Sequence, residues 1–234
     1  MVSSELIKKS PLRILDSTMG GGLGKGNIGV LASRHGLGKT SALVHLATDK
    51  LLQGKHVVHV TFATRTSHIL EYYEEIFAEV SKVKDLTGAR DVQNEIAPRR
   101  TVMNFNQQGM RTSHVLESLK SRIEDGGFPA ELIIVDEFDF AQAHSSDLSE
   151  FRRFAARESL EVWFSVSLEG ESENSTKPIP PILEKFLKEI DVLINLRHHR
   201  LDEKVHLELV KDHSGKPQDT RLVLDSKTLL ISPE

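Results

Sequence analysis

The sequence predicts an α/β fold: a mostly parallel central sheet flanked by helices, with an antiparallel hairpin at the C-terminal end. Three observations carry this prediction. Short apolar runs rich in β-branched residues alternate with stretches of helical length, as a parallel sheet covered on both faces requires. A Gly-Lys-Thr segment sits between the first such run and the first helical stretch. Near the end the pattern changes to apolar–polar alternation on either side of Ser-Gly-Lys-Pro, which signals a hairpin.

In order, the expected strands are Asn27 to Ser33, His56 to Phe62, Thr101 to Phe105, Leu132 to Phe138, Val162 to Ser167 and Val192 to Leu196. The first four are followed by expected helices at Ser41 to Leu52, Ser67 to Val80, Ser113 to Ile123 and Leu148 to Glu158. A further helix is expected over Ile182 to Ile190, after Pro180 and Pro181. Val205 to Val210 and Arg221 to Leu224 form the hairpin. Ala89 to Arg100 and Glu169 to Pro181 read as long polar loops, which in a compact domain are usually functional or disordered. With no internal repeat and no linker composition, a single domain is expected over 1–234, its core at about 12–226.

Composition narrows the function classes. The chain has 234 residues, a formal charge of -4, 38% hydrophobic and 27% charged residues, the balance of a packed globular protein. It has no cysteine, so disulfide frameworks, thiol nucleophiles and thiolate metal sites are excluded. No apolar run approaches the length that spans a bilayer, and Met-Val-Ser-Ser-Glu-Leu-Ile-Lys-Lys lacks the apolar core of a secretory leader. A cytoplasmic protein without a membrane partner is the expectation.

Ser33-Arg34-His35-Gly36-Leu37-Gly38-Lys39-Thr40, followed by Ser41, follows the phosphate-loop pattern of Gly, four residues, then Gly-Lys-Ser/Thr, except that Ser33 stands in place of the first glycine. Glycines allow backbone N–H groups to turn around phosphate oxygens, and the positive end of the next helix adds to the attraction. Lys39 would reach the terminal phosphates and the Thr40 hydroxyl would ligate Mg²⁺. The other reading is a glycine-rich turn that merely opens a helix. Gly22-Leu23-Gly24-Lys25-Gly26 also holds Gly-Lys, but with no hydroxyl and no helix after it, and reads as a tight turn. The complementary half of such a site is Leu132-Ile133-Ile134-Val135-Asp136, where Asp136 would hold Mg²⁺ through water.

With these segments the chain resembles a RecA-superfamily P-loop ATPase, of the branch holding the KaiC clock proteins and the ATPase domain of DnaB-type helicases. Leu15-Asp16 with Gly20-Gly21-Gly22-Leu23 and Gly26 is similar to the opening segment of KaiC-like domains. Ala32 to Thr40 resembles the DnaB-type loop, where the first glycine is also replaced by a small residue, and Leu132 to Asp136 resembles the Mg²⁺-aspartate strand. Leu207 to Gly215, leading to Thr220 to Leu224, is similar to the terminal hairpin, whose Lys-x-Arg pair reaches a neighbour's nucleotide. The resemblance implies a RecA-like fold, ATP and Mg²⁺ as ligands, and a homo-oligomer, often a hexamer, or another protein as partner.

Departures from the pattern bear on hydrolysis. The resemblance implies a catalytic glutamate at the end of the second strand, where this chain has Ala63. Loss of a general base commonly costs about 10²- to 10⁴-fold in rate. Of the trans-acting pair, Lys211 remains but His213 replaces the arginine, and imidazole stabilises phosphoryl charge less than guanidinium does. The polar sensor position is expected at Ser167. Glu137, directly after Asp136, is the candidate substitute base, against the plainer reading of a strand-end carboxylate that tunes Mg²⁺ or pairs with an arginine. ATP binding with slow or absent turnover, controlling assembly or partner binding, is therefore the leading expectation; an active motor using Glu137 is the alternative.

Nucleic acid is not an expected partner. Glu169, Glu171 and Glu173 would repel a phosphate backbone, with a single Lys177 to offset them. Phe138 and Phe140 could stack bases but lie among Asp139, Asp147 and Glu150. Arg152, Arg153 and Arg157, and likewise Arg99-Arg100, read as solvated charge rather than a nucleic-acid site. His198-His199 would point to opposite faces of a strand, so the pair does not read as a metal site.

Overall fold

A computed structural model describes residues 7–62, 66–83, 86, 88–106, 111–168, 178–198, 204–214 and 218–234 of the protein. Nine strands form one sheet: β1 (Ile28–Ser33), β2 (His56–Thr61), β3 (Arg100–Asn104), β4 (Ala130–Asp136), β5 (Glu161–Ser167), β6 (Val192–His198), β7 (Val205–Lys211), β8 (Gln218–Leu224) and β9 (Ile231–Pro233). Their spatial order is β3-β2-β4-β5-β1-β6-β7-β8-β9. The pairs from β3 across to β6 are parallel, and those from β6 to β9 antiparallel. The helices are α1 (Leu12–Thr18), α2 (Lys39–Leu52), α3 (Thr66–Val83), α4 (Ala89–Ile96), α5 (Thr112–Lys120) and α6 (Ser145–Glu158).

Alternation along the strands divides the core into two layers. Leu31, Val57, Ile134 and Trp163 pack with α1 to α4 on one face. Val30, Val58, Ile133 and Phe164 pack with α5, α6 and Leu183 and Phe186 on the other. The expected continuous apolar runs are thus strands buried on both sides. β1 lies between β5 and β6, and its Gly29 is opposite Trp163. A Cβ on Gly29 would sit 2.5 Å from the indole, so the indole fills the space that any side chain there would need.

Several boundaries differ from the expected ones. Ala89 to Arg100 is not a loop: α4 and a 3₁₀ turn over Ala97–Arg99 bury Val92 and Ile96. These two apolar residues, four apart in a polar stretch, are all the amphipathic signal that so short a helix carries. Ile182 to Ile190 is not a regular α-helix: a 3₁₀ helix runs Pro181–Phe186 and brings Leu183 and Phe186, three apart, to the core. β4 stops at Asp136 rather than Phe138, because Glu137 has φ 62. α5 continues into a π-helical turn over Ser121–Asp125. α1 and β9 were not expected, and the core passes 226: Ile231 is buried and its backbone N–H donates to His45 Nδ1 of α2 at 2.9 Å. Among the described residues no helix is long and apolar enough to cross a membrane.

Candidate functional site

The segment between β1 and α2 turns back on itself through two glycines in the left-handed region, Gly36 (φ 83) and Gly38 (φ 88). Ser33 closes β1 with φ in the ordinary negative range, so nothing in the backbone demands glycine there. Gly38 is the N-cap of α2 without a side-chain cap, and no acidic residue occupies the first turn. The helix therefore begins without a capping side chain or an acidic residue of its own, an end that can receive an anion. Arg34, His35 and Gly36 are exposed, Leu37 and Gly38 half-buried, and Ser41 buried behind them.

Lys39 turns back under this loop. Its Nζ donates to Ser33 O at 3.4 Å, Ser33 Oγ at 3.3 Å and Arg34 O at 3.3 Å. Charge-assisted bonds to an anion are typically about 2.7–2.9 Å, so the ammonium is held loosely by weak dipoles. Burial lowers its pKa, while the carboxylates of Asp136 and Glu137 act in the opposite direction. An anion such as phosphate would relieve that desolvation, so the residues present fit one.

Across the sheet, Asp136 ends β4 and is 1% exposed. Thr40 Oγ1 donates to its Oδ2 at 2.8 Å, and Ser165 Oγ of β5 to its Oδ1 at 2.5 Å. The same Ser165 oxygen accepts the backbone N–H of Glu137 at 2.8 Å. Three strand ends (β1 through its loop, β4 and β5) thus meet in one polar cluster at their carboxyl ends, where open α/β sheets place ligands. A hydroxyl and a carboxylate in contact form an all-oxygen donor pair of the hard kind that Mg²⁺ takes. Glu137 is exposed, and its pKa is raised by partial desolvation first and by Asp136 second, while His35 and Lys39 pull it down.

No family model matches the chain, and no curated protein does.

Of the other sequence-predicted residues, Lys211 donates to the carbonyl oxygens of Leu187 (2.8 Å) and Ile190 in its own chain. His213 has Nε2 3.1 Å from Gly22 O. Ser167 pairs in register with Ser33, and it is Ser165, two residues earlier, that holds Asp136. The sequence signal for Ser165 was a serine inside the apolar run from Val162 to Val166. Ala63, the loop over 169–177 and His199 lie outside the described residues. Phe140 is not a base-stacking platform: it is buried and packs edge-on against Phe138, Phe164 and Phe186. Arg152 pairs bidentately with Asp191, Arg157 with Glu124 and Glu158, and Arg99 with Glu95.

Sequence reasoning missed a buried neighbour. His59 on β2 is fully buried, its Nδ1 3.1 Å from Tyr73 Oη of α3. Burial is the main reason its pKa falls to about 4; Asp136 opposes the shift and Arg100 adds to it.

Proposed function

We propose that the protein is a cytoplasmic, RecA-like ATP-binding protein that uses Mg²⁺-ATP to control assembly with its own copies or with another protein. The observation that carries this reading is the 2.8 Å bond from Thr40 to Asp136, which joins the two halves of a phosphate-and-metal site across 96 residues of sequence. Lys39 and the α2 N-terminus would bind the phosphates, and Thr40 and Asp136 would hold Mg²⁺, with Asp136 acting through water. The ion would supply positive charge against the phosphate oxygens. Ser165 keeps the Asp136 carboxylate aimed, and the Ser33 and Arg34 oxygens hold Lys39 under the loop.

The sheet order and the terminal antiparallel strands are compatible with a RecA-like fold. Action of Lys211 on a neighbour's nucleotide, which the resemblance implies, would require it to give up the carbonyls of Leu187 and Ile190. Assembly is thereby coupled to loosening of that segment.

Slow hydrolysis follows from Ala63, which has no group to accept a proton. A specific observation favours the second reading, an active ATPase. Glu137 is a non-glycine residue in the left-handed region, pinned through its backbone by Ser165, a conformation that persists only where surroundings over-determine it. Its carboxylate lies near Lys39 and His35, in reach of the same site electrostatically. Turnover measured for the wild type and for Glu137→Gln tests both. Saturable ATP binding without turnover above background in either protein supports the assembly role. Turnover that falls about 10²-fold or more in Glu137→Gln makes Glu137 the base. Lack of ATP binding would refute both readings.

A further inference from the structure

Towards the far end of α2 from the phosphate loop, a cavity of about 270 Å³ opens between α2, α3, α4 and the start of β3. Thr48, which lines it, lies nine residues beyond Lys39, about 13 Å along the helix at 1.5 Å per residue. Leu51, Phe77 and Ile96 give the cavity an apolar wall, and all three are buried.

Two polar groups there are left unsatisfied. Thr48 is 1% exposed and its Oγ1 has no hydrogen-bond partner. A buried helical threonine ordinarily bonds back to the preceding turn; this hydroxyl has essentially no accessible surface and sits behind the cavity wall. Arg100 lies half-buried on the cavity wall with its guanidinium over the Tyr73 ring, 4.2 Å from the centroid. Stacking occupies the face of the guanidinium, not its in-plane N–H donors. Among the described residues that guanidinium has neither a hydrogen bond nor an ion pair. The Tyr73 hydroxyl is turned to His59 and does not compete.

The charge balance narrows the ligand. The cavity is lined by one cation, Arg100, and by one carboxylate, Glu74, on its exposed rim. With Glu74 acting on Arg100 the lining carries no net charge, so a phosphate dianion costs more there than a singly charged carboxylate, whose two oxygens match the guanidinium fork. We propose that this cavity binds a small monocarboxylate with an apolar body, its carboxylate on Arg100 and its body against Leu51, Phe77 and Ile96. The site is independent of the nucleotide reading and shares with it only α2.

The test is ¹⁹F NMR of 4-fluorobenzoate with the full-length protein, competed by indole-3-acetate, octanoate and inorganic phosphate. Saturable line broadening is expected, reversed by at least one of the carboxylates and not by phosphate. Arg100→Gln should weaken binding about tenfold or more, the loss expected for a charged hydrogen-bonded pair. Arg100→Lys, which keeps the charge and loses the fork, should fold like the wild type and weaken binding by a smaller factor. Lys39→Ala should bind the probe normally. The proposal is overturned if none of the three carboxylates binds, if Arg100→Gln binds as well as the wild type, or if phosphate displaces the probe as effectively as the carboxylates do.

Discussion

Ser165, outside the phosphate-loop pattern, joins two residues of the candidate site. One hydroxyl donates to Asp136 and accepts from the Glu137 backbone, so a single oxygen orients the carboxylate and fixes the turn that follows it. Ser165→Ala leaves an N–H and a carboxylate oxygen each short of a partner in a buried place. Equilibrium denaturation should show a loss of about 1–3 kcal/mol, and ATP binding should become less responsive to Mg²⁺. His59 sets a second expectation. Its folded pKa of about 4 lies below the ordinary 6.5, so between those values the unfolded chain binds more protons. Its contribution to stability is complete above about pH 6.5 and lost as the pH falls towards 4, on the order of 3 kcal/mol in all. Urea denaturation across that range should show wild-type stability falling on acidification. His59→Gln should fall less steeply, by about one proton; equal slopes would remove this role from His59. Lys39, Thr40 and Asp136 stood out in the sequence because the phosphate-loop pattern and an apolar strand ending in Asp specify their residue types, and the structure brings Thr40 and Asp136 into contact. Ser165 and His59 were not, since their partners are 29 and 14 residues away and neither belongs to a spaced motif.

At the scale of elements, the strands were legible where both faces are buried, because a run such as Leu132 to Val135 leaves no other place to sit. The short elements were not. α4 carries its helical signal in Val92 and Ile96 alone, and β9 is three residues long, positioned by pairing with β8 and by His45 rather than by its own pattern. α6 ends on Ser159, which takes φ 56 as its C-cap. A serine in the left-handed region carries a strain that glycine does not, so Ser159→Gly should raise stability by about 0.5–1 kcal/mol. The opposite sign is expected where a strand needs the absence of a side chain. Gly29→Ala would push a methyl into the Trp163 ring in the middle of β1 and should cost about 1–3 kcal/mol. A higher melting temperature for the first variant and a lower one for the second would bear out both packing arguments.

Over the whole molecule, the sheet brings the loop after β1 and the ends of β4 and β5 together at the carboxyl ends of its central strands, while the C-terminal strands extend the sheet beyond β6 and tie back to α2. α2 is the common member: its N-terminus begins at Lys39, its middle holds β9 through His45, and its later turns line the cavity with Arg100. The central claim is that Mg²⁺-ATP binds at the head of this helix. Isothermal titration calorimetry of Mg²⁺-ATP into the wild type and into Lys39→Ala, with circular dichroism to verify that the variant is folded, tests it most directly. One saturable site per chain is predicted for the wild type, weakened about 100-fold or more in the variant, as two charge-assisted bonds to phosphate would give. No heat of binding from the wild type, or equal affinity in the folded variant, would contradict the account.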